Sequence, residues 1–132
     1  MKSVQAIIFL LLAIVSAAHP AEKDFAGVFV GTWSGVSGGA GDVRITLKLT
    51  AGKLTPDVMF TMGSTEVKTK VTHLAVHGLK LEMKYEFDLD GNRLESTIHG
   101  TLSGETMEGT YTSRSVADGS PADQGEWKAK RL

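Results

Sequence analysis

From Val28 almost to the end of the chain, apolar residues recur at every second position, the period of strands buried on one face. The clearest run sets Leu79, Leu81, Met83, Tyr85 and Phe87 against Lys80, Glu82, Lys84, Glu86 and Asp88. One face of that strand is therefore apolar and the other wholly charged. Val43, Ile45, Leu47 and Leu49 alternate with Arg44, Thr46, Lys48 and Thr50 in the same way, and Leu54, Val58, Phe60 and Met62 follow a turn at Ala51-Gly52-Lys53. Pro56 falls on that inward series. Lacking an N–H, it predicts a bulge or a locally open edge near the start of the third strand. Val67, Thr69, Val71 and His73 give a fourth strand; Leu94, Ser96, Ile98 and Leu102 a sixth, after the turn Asp90-Gly91-Asn92; Met107, Gly109 and Tyr111 a seventh. Phe29, Gly31 and Trp33 form the first, and Gly125, Trp127, Ala129 and Arg131 the eighth.

Eight strands joined by short turns pair in order, and with one apolar face they close most simply into an all-β, antiparallel up-and-down barrel. A two-sheet β-sandwich is the alternative that the same alternation would serve. A short repeat favours the barrel: Gly31-Thr32-Trp33, Gly100-Thr101-Leu102, Gly109-Thr110-Tyr111 and Gly125-Glu126-Trp127 each read glycine, polar, large apolar. Glycine and large residue share the inward face, and alternating small and large side chains is how a tapering interior is filled.

Phe29-Val30-Gly31-Thr32-Trp33 resembles the glycine-x-tryptophan first strand of lipocalins and of the related avidin-like barrels. In lipocalins that tryptophan closes the barrel floor beneath a basic residue after the last strand, which implies a floor made by Trp33 and Arg131, with Lys130 the other basic residue at that end. Gly31 to Gly35 and Gly125 to Arg131 also resemble a group of small secreted bacterial barrels carrying Gly-Thr-Trp-Ser-Gly near the start and Gly-x-Trp-x-Ala-x-Arg at the end. That likeness implies a calycin-type fold and export, and names no activity. The long first loop and C-terminal helix of lipocalins find no match, and the several tryptophans through which avidin-like barrels read biotin are reduced to Trp33 and Trp127. Neither ligand class carries over.

Ahead of the strands, Met1-Lys2, the apolar run Val4–Val15 and the small residues Ser16-Ala17-Ala18 have the layout of a secretory signal. The run is too short to span a bilayer before His19 and Glu22 return polarity, so cleavage would leave no membrane anchor. The expected organisation is a signal peptide over 1–18, an N-terminal extension over 19–26 and the barrel over 27–132, in a secreted or periplasmic protein. The chain has no cysteine, hence no disulfide or thiol chemistry, and its net charge of −1 offers no one-signed field for nucleic acid.

Candidate chemistry is sparse. His73 and His77 flank a strand end, and four residues apart on one strand they stand about 13 Å from each other, too far to share a metal unless the chain turns between them. Asp88, Asp90 and Asn92 open like a calcium loop, but the glycine comes too early, and a hairpin turn explains them. Gly35 to Gly41 is glycine-rich without the Gly-Lys-Ser/Thr of a phosphate loop, and reads as a mobile connection. Ser113 to Gln124 is the longest break in alternation and places Ser113, Ser115, Asp118 and Asp123 near a barrel mouth. His99 lies on an outward series, and no nucleophile elbow is present, so a Ser-His-Asp triad is disfavoured. Glu82 and Glu86 alternate with lysines as a solvated ladder.

These features favour a non-enzymatic binding barrel, needing no cofactor or metal, whose inward Phe60, Met83, Tyr85, Tyr111 and Trp127 line a small apolar cavity for a hydrophobic small molecule. The alternative is an interaction or structural module whose interior its own side chains fill, the default for eight strands. A metal-assisted enzyme built on His73 and His77 is the third reading.

Overall fold

The computed structural model describes residues 21–132. The expected signal peptide, 1–18, and the first two residues of the extension lie outside the described residues. A helical turn α1 (Ala21–Asp24) leads into β1 (Gly27–Gly35), β2 (Ala40–Thr50), β3 (Lys53–Met62), β4 (Thr65–Lys68), β5 (Lys70–His77), β6 (Lys80–Leu89), β7 (Asn92–Ser103), β8 (Thr106–Ser115) and β9 (Pro121–Arg131). All pair antiparallel in one sheet of order β4-β3-β2-β1-β9-β8-β7-β6-β5. This is an up-and-down barrel and not a pair of packed sheets.

Turn chemistry sets the register. Ala51 and Gly52 at the β2–β3 hairpin have φ of 51° and 80°, and Asp90 and Gly91 at the β6–β7 hairpin have 52° and 80°. Two successive left-handed residues make the type I′ turn, whose twist matches that of the strands it joins. Glycine at the second position supplies this geometry without steric cost.

Closure departs from the expected eight even strands. The fourth is two segments, β4 and β5, separated by Thr69. β4 pairs with β3 over Met59–Met62, while β5 pairs with β6, so a single kinked strand joins the two ends of the sheet. At the kink the Thr69 hydroxyl donates to the Val58 carbonyl at 2.6 Å. A register shift between Val71 and His73 then reverses the inward parity: Leu74 and Val76 pack on the core, and His73 turns to solvent. Pro56 produces no bulge, since it pairs in register with Leu47, but it falls on the half of β3 that has no strand paired on its other flank. Leu79, expected inside, sits in the β5–β6 turn and is half exposed.

The barrel has a floor and a mouth. At the floor Phe25 and Phe29 are fully buried, together with Leu47, Leu81, Leu102, Met107 and Ala129. Phe25, which the sequence leaves in the extension, thus belongs to the core. Arg131 holds this end: its guanidinium lies 4.9 Å from the Phe29 ring centroid, donates to Glu105 Oε1 at 2.9 Å, and bonds the Asp24 carbonyl. The expected Trp33–Arg131 floor is therefore corrected. In the β1–β9 register Arg131 faces Phe29 and Trp33 faces Trp127, four residues nearer the mouth.

Candidate functional site

Above the floor the barrel holds a cavity of about 310 Å³. It lies at the lower end of the range for small-molecule sites and is about twice the ~150 Å³ that admits benzene in an engineered core. Its lining reaches the exposed residues Ser37 and Ala122, so it opens between the β1–β2 turn and the start of β9.

The strand registers give its walls different characters. β1, β2 and β3 supply Trp33, Val43, Ile45, Val58, Phe60 and Met62, an apolar side. On the opposite side Tyr85, Ser96, Ser113 and Asp123 stand directly across from one another on β6, β7, β8 and β9, and all four line the cavity. One inward row of the barrel is thus polar. Within it the Ser96 and Ser113 hydroxyls share a hydrogen bond of 2.5 Å. Tyr111, one pair closer to the floor, donates from its hydroxyl to Asp123 Oδ2 at 2.8 Å.

Rings form a continuous surface beside this row. Trp33 meets Phe60 and Tyr111 edge to face, each at 5.9 Å between centroids, with interplanar angles of 89° and 88°. Phe60 meets Phe87 at 5.0 Å and Tyr85 at 6.2 Å. Such pairs contribute about 0.5–1.5 kcal/mol each beyond their burial, which fixes the rings as walls of the cavity. Trp127 fits by another device. Its indole lies over Gly100, where a Cβ would stand 2.7 Å from Cζ2, and its Nε1 donates to the Thr110 carbonyl. The small–large repeat is here a slot for one ring.

Burial raises the Tyr85 phenol to about 12, with a hydrogen bond from Ser96 acting the other way. Tyr111 is raised further, by burial first and then by its bond to the Asp123 carboxylate and that group's charge. For Asp123 itself, burial works to raise the carboxyl, but the hydrogen bonds from the Tyr111 hydroxyl and from Ser37 outweigh it and hold the group below the usual carboxylate range. At neutral pH the cavity therefore contains two neutral phenols and one carboxylate.

Of the five residues expected to contact a ligand, Phe60, Tyr85, Tyr111 and Trp127 line the cavity. Met83 does not; it is fully buried and pairs with Ile98 on the floor side of Tyr85. Trp33, expected at the floor, lines the cavity as well. Ser96, on the inward series, and Ser113 and Asp123, expected near the mouth, join the lining although none is among the expected ligand contacts. Their signal was parity: Ser96 precedes Ile98 by two, Ser113 follows Tyr111 by two, and Asp123 precedes Gly125 by two.

The remaining candidates lie elsewhere. His73 and His77 are exposed on β5, across from Lys84 and Lys80, and His99 is exposed on β7. Among the described residues no three His, Cys, Asp or Glu side chains cluster as metal ligands would. Glu86 pairs with Arg93 at 3.2 Å and not with the neighbouring lysines. Ser113–Gln124 is mostly strand, its turn closed by the Ser115 N–H on the Ser120 carbonyl and by Asp118 accepting from Ser120. The Gly35–Gly41 connection is likewise tied down: the Gly35 N–H bonds the Gly39 carbonyl, the Val36 N–H bonds the Gln124 carbonyl, and the Ser37 N–H bonds Asp123 Oδ1 at 3.2 Å.

What these fixed walls define is a barrel with a closed floor, an open mouth and a partly aromatic cavity between them. No family model matches the chain, and no curated protein matches it.

Proposed function

We propose that the protein is an exported, non-enzymatic carrier that holds one small, mostly hydrophobic molecule inside its barrel. The observation that carries this reading is the cavity of about 310 Å³ at the mouth end, walled by six aromatic rings. A barrel of this strand number is filled by its own side chains by default, so retained space of this size favours a guest over a purely structural interior. Catalysis has less support: among the described residues the cavity lining includes serines but no histidine, lysine, cysteine or arginine. Export rests on the signal-like leader Met1–Ala18.

Titration with N-phenyl-1-naphthylamine, a neutral probe, should give saturable 1:1 enhancement of probe emission and quenching of Trp33 and Trp127. Val58→Trp, which extends a ring into the cavity, should abolish both. A protein that neither enhances the probe nor loses tryptophan emission would falsify the carrier reading.

A further inference from the structure

Resting on the carrier reading, we propose that the guest is a cation: a small organic ammonium whose apolar body lies among the aromatic rings and whose charged head meets Asp123. Among the described residues lining the cavity Asp123 is the single ionised group, and none is a lysine, arginine or histidine. The groups that hydrogen-bond to it, the Tyr111 hydroxyl, Ser37 and the Gln124 backbone, are all neutral, so none balances its charge. A negative charge at the rim of an apolar chamber attracts a cationic guest and repels a carboxylate.

The rings point the same way. Trp33 stands at right angles to Phe60 and to Tyr111, and Tyr111 is itself bonded to Asp123. Six aromatic residues and this carboxylate line one cavity, and aromatic rings gathered around a shared space are the kind of surroundings that recognise quaternary ammonium groups. Neutral hydroxyls of Ser96 and Ser113 complete that side without adding charge.

Charge around the mouth extends the argument outward. The turns at this end comprise residues 36–39, 63–64, 90–91 and 116–120, and their charged residues, Asp90 and Asp118, are both acidic. No lysine lies within three residues of any of these turns. The arginines nearby are engaged, Arg93 with Glu86 and Asp88 and Arg114 with Glu95. An approaching cation thus meets an acidic rim before it reaches Asp123.

Anchoring the first mouth turn does not by itself require a charge at position 123. An asparagine could accept the Ser37 N–H through its carbonyl and donate to the Tyr111 oxygen through its amide. The carboxylate is explained by what it would bind.

The test compares three probes of similar size on the purified protein by calorimetry and tryptophan quenching: benzyltrimethylammonium, its neutral carbon isostere neopentylbenzene, and 3-phenylpropanoate. The ammonium should bind at least about ten-fold tighter than the isostere, and the carboxylate weakest. In Asp123→Asn the ammonium-to-isostere ratio should fall to within about three-fold. Equal or reversed affinities for ammonium and isostere overturn the proposal while leaving the carrier reading intact, and failure of all three probes to bind overturns both. A folded Asp123→Asn that keeps the full ratio refutes the assignment to this carboxylate. The wild-type comparison decides the matter if that variant does not fold.

Discussion

Tyr111 on β8 gives its phenolic hydrogen bond to Asp123 on β9 at 2.8 Å, and the same carboxylate receives the Ser37 amide from the turn after β1. One side chain therefore ties two strands and a mouth turn together. The backbone makes room for it: a Cβ at Gly35 would lie 2.1 Å from Asp123 Oδ2 and 2.5 Å from the Tyr111 hydroxyl.

Replacing Tyr111 by Phe removes this bond and leaves the ring packing in place. The expected loss at neutral pH is about 1–2 kcal/mol, measured by urea denaturation. Because the folded Asp123 carboxyl is held below its usual range, its contribution is present above the unfolded value of about 3.9 and is lost as pH falls through the folded one. The gap between wild type and Tyr111→Phe should narrow below about pH 4. An undiminished gap at pH 3 contradicts the bond's role.

At alkaline pH the sign reverses. Both tyrosines of the chain have folded values raised above the ordinary value of about 10, Tyr85 to about 12. Each phenol's stabilisation is complete below about pH 10 and is lost as pH rises toward the folded values. Absorbance at 295 nm should show no phenolate in the folded protein near pH 10, whereas the protein in denaturant titrates there. A phenol ionising normally in the native state counts against burial of that ring.

The glycines of the repeat should respond unequally to alanine. A Cβ at Gly109 would stand 1.7 Å from the His99 carbonyl oxygen, which is backbone, whereas at Gly100 the obstacle is the Trp127 ring. Gly100→Ala is expected to cost about 1–3 kcal/mol, with a shifted Trp127 emission, and Gly109→Ala more. Equal thermal shifts for the two variants contradict the slot.

At the floor, Phe25→Ala should destabilise the barrel by about 3 kcal/mol, since the ring is fully buried. Arg131→Ala should cost less and should raise hydrogen exchange at Phe25 and Ala26, because Arg131 bonds the carbonyl of Asp24 and stacks on Phe29. If a chain beginning at residue 27 proves as stable as one beginning at 21, Phe25 is not part of the core.

Much of the fold could be read from the chain because its strands obey a period of two and its hairpins carry their own turn chemistry. Tyr85, Phe87, Ile98 and Tyr111 fell inward by count alone, and Ala51-Gly52 and Asp90-Gly91 marked their turns. The kink at Thr69 and the register shift after Val71 could not be read in this way. A single inserted residue reverses parity without altering composition, which is how His73 came to look inward. The site was half legible for a related reason. Apolar parity turns all six of the cavity's rings inward, four of them among the expected ligand contacts, while the alignment of Tyr85, Ser96, Ser113 and Asp123 into one row depends on cross-strand register, which no single strand records. Arg131 was matched to the wrong ring because distance along β1 is invisible until the pairing with β9 is known.

The kinked strand also bears on how the molecule meets its neighbours. Where β3 and β5 lie side by side without a ladder, backbone donors and acceptors are left along two strand flanks, which is where a foreign strand could add and start a fibril. Pro56 removes one donor from that row, the Thr69 hydroxyl occupies the Val58 carbonyl, and Lys53 and Lys70 place charge beside it. The opening that lets the barrel close around a bend is thereby kept from becoming a template for aggregation.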